Sequence, residues 1–204
     1  MSKPLPYEQE IQSLRLAAER GDVNGCWDAT QKLLRWLPAQ RALRLVRDFL
    51  ARRLLVFERH QPGVLWPREF IESVTGTSAA LDGKTWPKAE DDFPGPGANS
   101  FINAVEALWK ASVPTEDVRR SELLADALER AVSAERLEYW GALHPDKWAR
   151  WYQLAVSGSD DMSQYHTLLA IKRDPGTASV ERAAWLEAAQ QLEEALGGSA
   201  REPH

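Results

Sequence analysis

The chain has 204 residues, 44% of them hydrophobic, and a formal net charge of −5, which gives enough apolar material for one folded domain and excludes a disordered chain. Its apolar runs are too short to cross a membrane, and the single cysteine, Cys26, excludes an internal disulfide bond. Because the first residues also lack the apolar stretch of a signal peptide, we expect a cytoplasmic protein.

Helices are predicted throughout the first 74 residues. A hydrophobic spacing of about 3.6 residues indicates helices over 7–20, 22–37, 38–60 and from 67 onward. Gly21 separates the first two helices. The clearest pattern follows Pro38, where a wide apolar arc occupies one side of the helix and arginines occupy the other. The Pro62-Gly63 pair breaks this helix before the short fourth one.

The second half of the chain is also predicted to be helical. Hydrophobic spacing indicates helices over 100–111, 114–140, from 145, from 160 and over 178–196. Gly141 is expected to end the longest of them, and Asp174-Pro175-Gly176 is expected to be a break before the last. Because no segment has the alternation of a strand, we predict an all-α protein, either an antiparallel multi-helix bundle or a helical-repeat-like stack, with about eight or nine helices.

A long segment rich in Gly, Pro and Asp, residues 75–98, separates the two groups of helices. It joins possible subdomains 1–74 and 99–197 within a single domain, 1–204. Loops of this length are usually functional or mobile. Two aromatic residues flank an acidic run, which suits a protein-binding element, and the candidate partner-binding residues are Trp86, Glu90, Asp91, Asp92 and Phe93. The alternative is a solvated connector with both rings packed on the core.

One charged residue, Arg53, falls inside the apolar arc of the 38–60 helix. A buried arginine must be paired, or it must reach solvent along its aliphatic stem. We expect a structural ion pair with Glu69 or Glu72 that locks this helix to the following one. Ligand binding by Arg53 is the less favoured alternative.

No motif for catalysis or for metal or cofactor binding meets its structural requirements. The segment 78–85 is close to a phosphate-binding loop, but Ser78 stands where the motif needs glycine and no strand precedes it. The histidines have no zinc-binding spacing. We therefore predict no enzyme activity, no metal and no cofactor. One alternative is an enzyme whose polar groups, such as Arg53, His166 and Glu72, converge within the helical core.

The charge is distributed unevenly along the chain. The first 60 residues are net positive, whereas residues 61–98 and 99–204 are both net negative. A nucleic-acid-binding protein normally has a concentrated basic surface, so we predict a protein partner and no nucleic acid. The acidic later part favours a basic partner. The oligomeric state stays open.

The end of the 38–60 helix and the turn after it carry a recognisable pattern. Its matching positions are Phe57, Glu58, Pro62, Gly63, Pro67, Arg68, Glu69, Ile71 and Glu72. With these positions the segment of about residues 42–74 resembles immunity proteins of bacterial polymorphic toxin systems. Val64, Leu65 and Trp66 depart from the pattern, and the alanine- and histidine-rich helices that follow it in that family are missing.

The resemblance implies an all-helical cytoplasmic inhibitor that binds and neutralises one cognate toxin. Such proteins carry no catalytic residues, because they act by covering the active site of the toxin. The alternative is a helical adaptor or scaffold with a different protein partner.

Overall fold

The chain is mainly α-helical and has no strands within the residues that the computed structural model describes, which are 6–74, 93–157 and 162–199. The prediction of an all-α protein with about eight or nine helices is therefore confirmed. In chain order the helices are α1 (Pro6–Arg20), α2 (Val23–Arg35), α3 (Ala39–Glu58), α4 (Trp66–Ser73), α5 (Ala98–Ser112), α6 (Asp117–Leu143), α7 (Pro145–Val156), α8 (Met162–Arg173) and α9 (Pro175–Ser199).

Helix α6 is the central element, because it contacts α2, α3, α5 and α9. Its buried side includes Leu124, Ala127 and Ala131, which are at most 1% exposed, and small side chains at such contacts let neighbouring helices approach closely. Helix α1 packs on α2 and α9. One buried cluster takes in residues of α1 to α6 and of α9, so the segments 1–74 and 99–197 share a core.

Helices α7 and α8 form a smaller unit at the end of α6. Trp148 of α7 packs with Trp140 of α6 and Ile171 of α8 in a buried cluster that is separate from the main core. Trp151 lies beside Trp148, with the ring centroids 4.8 Å apart. A few large rings therefore attach α7 and α8 to the outside of the helical bundle.

The end of the predicted loop, residues 93–97, is packed tightly against α6. Gly97 has a φ of +78°, and a Cβ atom there would lie 2.2 Å from the carbonyl oxygen of Ala134. Gly141 does not end α6 as predicted, because the helix continues beyond it. A Cβ atom at Gly141 would lie 2.3 Å from a ring carbon of Pro96, so this glycine makes room for the loop.

The predicted break before the last helix is instead its N-terminus. The Thr177 N–H donates a hydrogen bond to the Asp174 carboxylate at 2.8 Å, and α9 begins at Pro175 rather than near residue 178. Asp before a helix and Pro at its first position are both favourable, because the carboxylate caps a free N–H and proline has none to satisfy.

Candidate protein-binding surface

Arg53 is buried in α3 as predicted, with only 4% of its side chain exposed, but its partners differ from the predicted ones. Its Nε donates a hydrogen bond to Glu135 at 2.9 Å, and its Nη2 donates one to Glu187 at 2.6 Å. The expected pairing with Glu69 or Glu72 is therefore wrong. We call Arg53, Glu135 and Glu187 the Arg53 cluster, and it joins α3 to α6 and α9.

Glu187 is the most heavily bonded carboxylate of the Arg53 cluster. It also accepts hydrogen bonds from Nε of Arg52 at 2.9 Å and Nε2 of Gln191 at 2.8 Å. Burial acts to raise the pKa of Glu187, but the hydrogen bond and charge of Arg53, followed by those of Arg52, lower this pKa below its ordinary value. The carboxylate is therefore charged at neutral pH. The hydrogen bonds that it accepts come from Arg53, Arg52 and Gln191 of the same chain.

The predicted partner-binding residues are only partly within the described chain. Phe93 is buried, with its ring edge-on to Phe57 at a centroid distance of 5.3 Å. Phe93 is thus a core residue rather than part of a binding surface. Its N–H also donates a hydrogen bond to Asn99 Oδ1 at 2.9 Å, which ties the loop end to α5. The remaining candidates lie outside the described residues: Trp86, Glu90, Asp91 and Asp92.

The residues that carry the family resemblance form the corner between α3 and α4. Arg68 donates two hydrogen bonds to the Glu58 carboxylate, from Nε at 2.8 Å and from Nη2 at 2.7 Å. Phe57 and Ile71 are buried in the core on either side of the turn. These matching positions therefore stabilise the fold, because they fix the angle at which α4 leaves α3.

The charge asymmetry of the sequence is largely neutralised inside the fold. Arginines from the first 60 residues pair with glutamates of later helices in the pairs Arg15–Glu193, Arg52–Glu187, Arg53–Glu135, Arg53–Glu187 and Arg59–Glu138. Several glutamates of the acidic later helices are therefore paired with arginines of the same chain. The net charge of a segment does not describe the surface that the folded protein presents.

Buried titratable groups also lie between α2, α6 and α9. Burial, followed by the charges of Asp22 and Glu181, raises the pKa of Cys26 to about 12. The thiol is thus protonated at neutral pH and is not a nucleophile. Burial also raises the pKa of Glu129 above its ordinary value, against the opposing effect of nearby arginines.

The polar groups of the enzyme alternative do not converge. Arg53 belongs to the Arg53 cluster, Glu72 lies 3.7 Å from Arg68 on α4, and His166 lines a cleft on α8. Among the described residues, no three His, Cys, Asp or Glu side chains are close enough to hold a metal ion. No helix in the same part of the chain has both the length and the apolar character of a bilayer-spanning segment.

Some side chains of helix α7 point into the interior of the protein, and others line two clefts beside the helix. Pro145 occupies the first turn of the helix, and Trp148 points into the buried cluster of α6 and α8. Trp151 is half-buried and lines both clefts, one on each side of α7. Its Nε1 is buried without a hydrogen-bond partner among the described residues.

The first cleft lies between α7 and the start of α5 and has a volume of about 220 Å³. Its walls are Leu137 of α6, Tyr152 and Val156 of α7, and the 93–97 segment. The described residues that line it include no charged side chain. This cleft is therefore an apolar and aromatic recess whose floor is fixed by the tightly packed glycines of the loop end.

The second cleft lies between α7 and α8 and has a volume of about 340 Å³. Lys147, Arg150 and Leu154 line it from α7, since residues spaced by three and four share one face of a helix. His166 lines it from α8, and no acidic residue is among the described residues around it. Lys147 and Arg150 are exposed, and neither forms an ion pair with a described residue.

Exposed apolar side chains also lie on the helices that form these clefts. Leu143 at the end of α6 is 54% exposed, Val156 at the end of α7 is 59% exposed, and Leu168 of α8 is 48% exposed. We call the exposed faces of α7 and α8, together with the two clefts, the α7 surface. The sequence predicted a helix that carries the aromatic residues of α7. It did not predict that the basic side of this helix faces outward. The spacing of Lys147 and Arg150 beside Trp151 was the available signal.

The α7 surface therefore has the composition of a recognition site, with large rings, exposed apolar groups and basic groups that form no ion pair with a described residue. Phe93, which is buried, belongs to the 93–97 segment, and Gly95 and Gly97 of that segment line the first cleft. Comparisons with protein-family models, with curated proteins and with solved structures give no match for this chain.

Proposed function

We propose that the chain is a non-catalytic protein of the immunity type, which binds and neutralises a cognate bacterial toxin through the α7 surface. The observation that carries this proposal is the exposure of Leu143, Val156 and Leu168 around the two aromatic clefts. Exposed apolar groups with a polar rim are typical of protein-binding surfaces. Trp and Arg, both present here, contribute more binding energy at interfaces than most residue types.

The resemblance of the segment 42–74 to immunity proteins supports the same function. Its matching residues form the α3–α4 corner and stabilise the fold there, and none of them is among the described residues that line the two clefts. The partner would then be selected elsewhere on the molecule. A protein that acts by covering a toxin needs a complementary surface rather than a catalytic group.

The test uses the protein encoded by the gene adjacent to that of this chain. We expect this neighbour to arrest bacterial growth when expressed alone and growth to be restored when this chain is co-expressed. Size-exclusion chromatography with light scattering should then show a stable complex of fixed stoichiometry. A complex without growth protection would identify an adaptor, and the absence of both would contradict the proposal.

A matched pair of variants locates the binding surface. Val156→Asp places a charge on the α7 surface, whereas Val118→Asp makes the same change near the start of α6. The two valines are 59% and 49% exposed, so both variants should fold normally. We expect Val156→Asp to weaken the complex by at least about tenfold, because a charge would be buried without a partner. An equal loss from Val118→Asp would place the interface elsewhere.

A further inference from the structure

The second cleft is basic and aromatic along its described walls. It combines Lys147 and Arg150 with the rings of Trp140 and Trp151, without an acidic residue among its described walls. A comparable cleft between α2, α3 and α6 contains Arg120, but that arginine pairs with the Asp117 carboxylate. Arg35 of that cleft donates a hydrogen bond to Ser121 Oγ, whereas Lys147 and Arg150 form no ion pair with a described residue.

A second observation concerns hydrogen bonding. The Nε1 atom of Trp151 is buried and has no acceptor among the described residues. A buried N–H without an acceptor is unfavourable, and most such groups in folded proteins are satisfied. Trp151 lines the same cleft as Lys147 and Arg150, so the wall of this cleft includes a residue with an unsatisfied polar atom.

Together these groups define the chemistry of a complementary ligand. Two cations without an acidic partner among the described residues call for an anion that accepts hydrogen bonds, and carboxylates meet this requirement. The rings and Leu154 call for apolar groups beside these carboxylates. We propose that the second cleft binds an acidic segment of the partner protein, with Asp or Glu side chains at Lys147 and Arg150 and an apolar side chain between α7 and α8.

The shape of the surface favours a peptide segment over a small ligand. The 12 residues of α7 give a helix about 18 Å long, which an extended segment of roughly five or six residues would span. Exposed Leu143 and Val156 stand near the two ends of this helix. A segment that follows α7 would therefore contact apolar groups at both ends and the basic pair between them.

A nucleic acid fits the same cleft less well. Nucleic-acid-binding surfaces neutralise a row of phosphates with many basic side chains, and the binding depends on several such contacts. Here the unpaired cations that line the cleft are Lys147 and Arg150, within the first half of α7, and the whole chain carries a charge of −5. A short acidic segment needs only these two contacts.

This inference rests on the proposed function for the origin of the segment, but its test needs no toxin. The probe is a fluorescein-labelled synthetic peptide of 12 residues in which Asp and Glu alternate with Leu and Phe. Its control is the same peptide with Asn and Gln in place of the acids. Fluorescence anisotropy with the full chain should show at least tenfold tighter binding of the acidic peptide, with the difference shrinking as salt rises.

Paired charge reversals test the location. Lys147→Glu combined with Arg150→Glu should weaken binding of the acidic peptide at least tenfold. Arg20→Glu combined with Arg130→Glu makes the same change in net charge at exposed positions outside the cleft and should change binding less than twofold. Thermal unfolding of each variant should match that of the wild type.

Several outcomes would overturn the inference. Equal binding of the acidic and neutral peptides would show that the acidic side chains do not contribute to binding in the second cleft. An equal loss from the two charge reversals would show attraction to the chain as a whole, and no loss from either would exclude this cleft. Tighter binding of a 12-nucleotide oligothymidine than of the peptide would identify a nucleic-acid site. Growth protection that persists alongside any of these results would leave the proposed function intact and reject only the acidic segment.

Discussion

Replacement of Arg53 by methionine tests whether the Arg53 cluster holds α3, α6 and α9 together. Methionine fills the space of the aliphatic stem but removes the guanidinium, which is only 4% exposed. The lost contacts are the bonds to Glu135 at 2.9 Å and Glu187 at 2.6 Å and the stacking of the guanidinium 3.5 Å above the Phe49 ring. The carboxylates stay behind, partly buried and short of a donor.

The expected loss of stability follows from the exposure of the partners. Hydrogen bonds to charged groups contribute about 1.5–3 kcal/mol each when buried. The Glu135 and Glu187 side chains are 30% and 37% exposed, so water screens part of this interaction. Arg52 and Gln191 also remain bonded to Glu187. We therefore expect a loss of about 2–3 kcal/mol, which corresponds to roughly 5–10 °C in Tm for a chain of this length.

The pH dependence of this loss gives an independent check. Because the pKa of Glu187 is lowered in the folded state, its stabilising contribution is present above the unfolded-state pKa of about 4.3 and is lost as the pH falls through the folded-state pKa. Arg53→Met removes the main cause of the lowered pKa. The difference in Tm between the wild type and this variant should thus be largest near neutral pH and should narrow below about pH 4.

Arg52→Met is the matched control. Arg52 also bonds to Glu187, but its side chain is 48% exposed, so its removal should cost less than about 1 kcal/mol. Differential scanning calorimetry from pH 3 to pH 7 would measure both variants. A Tm for Arg53→Met within about 1 °C of the wild type at neutral pH, or a difference that does not narrow in acid, would refute the locking role.

Three further changes test other parts of the structure. Gly97→Ala should lower the free energy of unfolding by at least about 2 kcal/mol, since it combines a positive φ with a backbone clash, whereas Gly63→Ala, with open space around it, should change it by less than about 0.5 kcal/mol in urea titrations. Cys26, whose pKa burial raises to about 12, should not react with a thiol reagent at pH 8 until the chain is unfolded. Glu58→Gln should cost no more than about 1 kcal/mol, because the Arg68 side chain that it bonds is 47% exposed, and a larger drop in Tm would show a greater role for this corner.

The helices could be predicted from the sequence because their apolar spacing and their breakers are local. The α3 pattern shows this best, with Leu43, Val46, Leu50 and Phe57 all buried on the predicted arc. Gly141 shows the limit of local reasoning. Its role is to admit the 93–97 segment beside α6, and that contact joins parts of the chain that are distant in sequence.

The partners of Arg53 could not be predicted for the same reason. Burial of Arg53 follows from its position in the apolar arc, but Glu135 and Glu187 lie 82 and 134 residues away in sequence. Glu69 and Glu72 were nearer in the chain, yet the α3–α4 corner directs α4 elsewhere and uses Arg68 for its own ion pair with Glu58. The fold, rather than sequence proximity, decides which carboxylates reach a buried arginine.

The net charge of residues 99–204 did not reveal the α7 surface. Residues 99–204 are net acidic, which predicts a basic partner, but Glu135, Glu138, Glu187 and Glu193 pair with arginines of the first 60 residues once the chain folds. Lys147 and Arg150 form no ion pair with a described residue. The positive charge that they present at α7 therefore has the opposite sign to the net charge of residues 99–204.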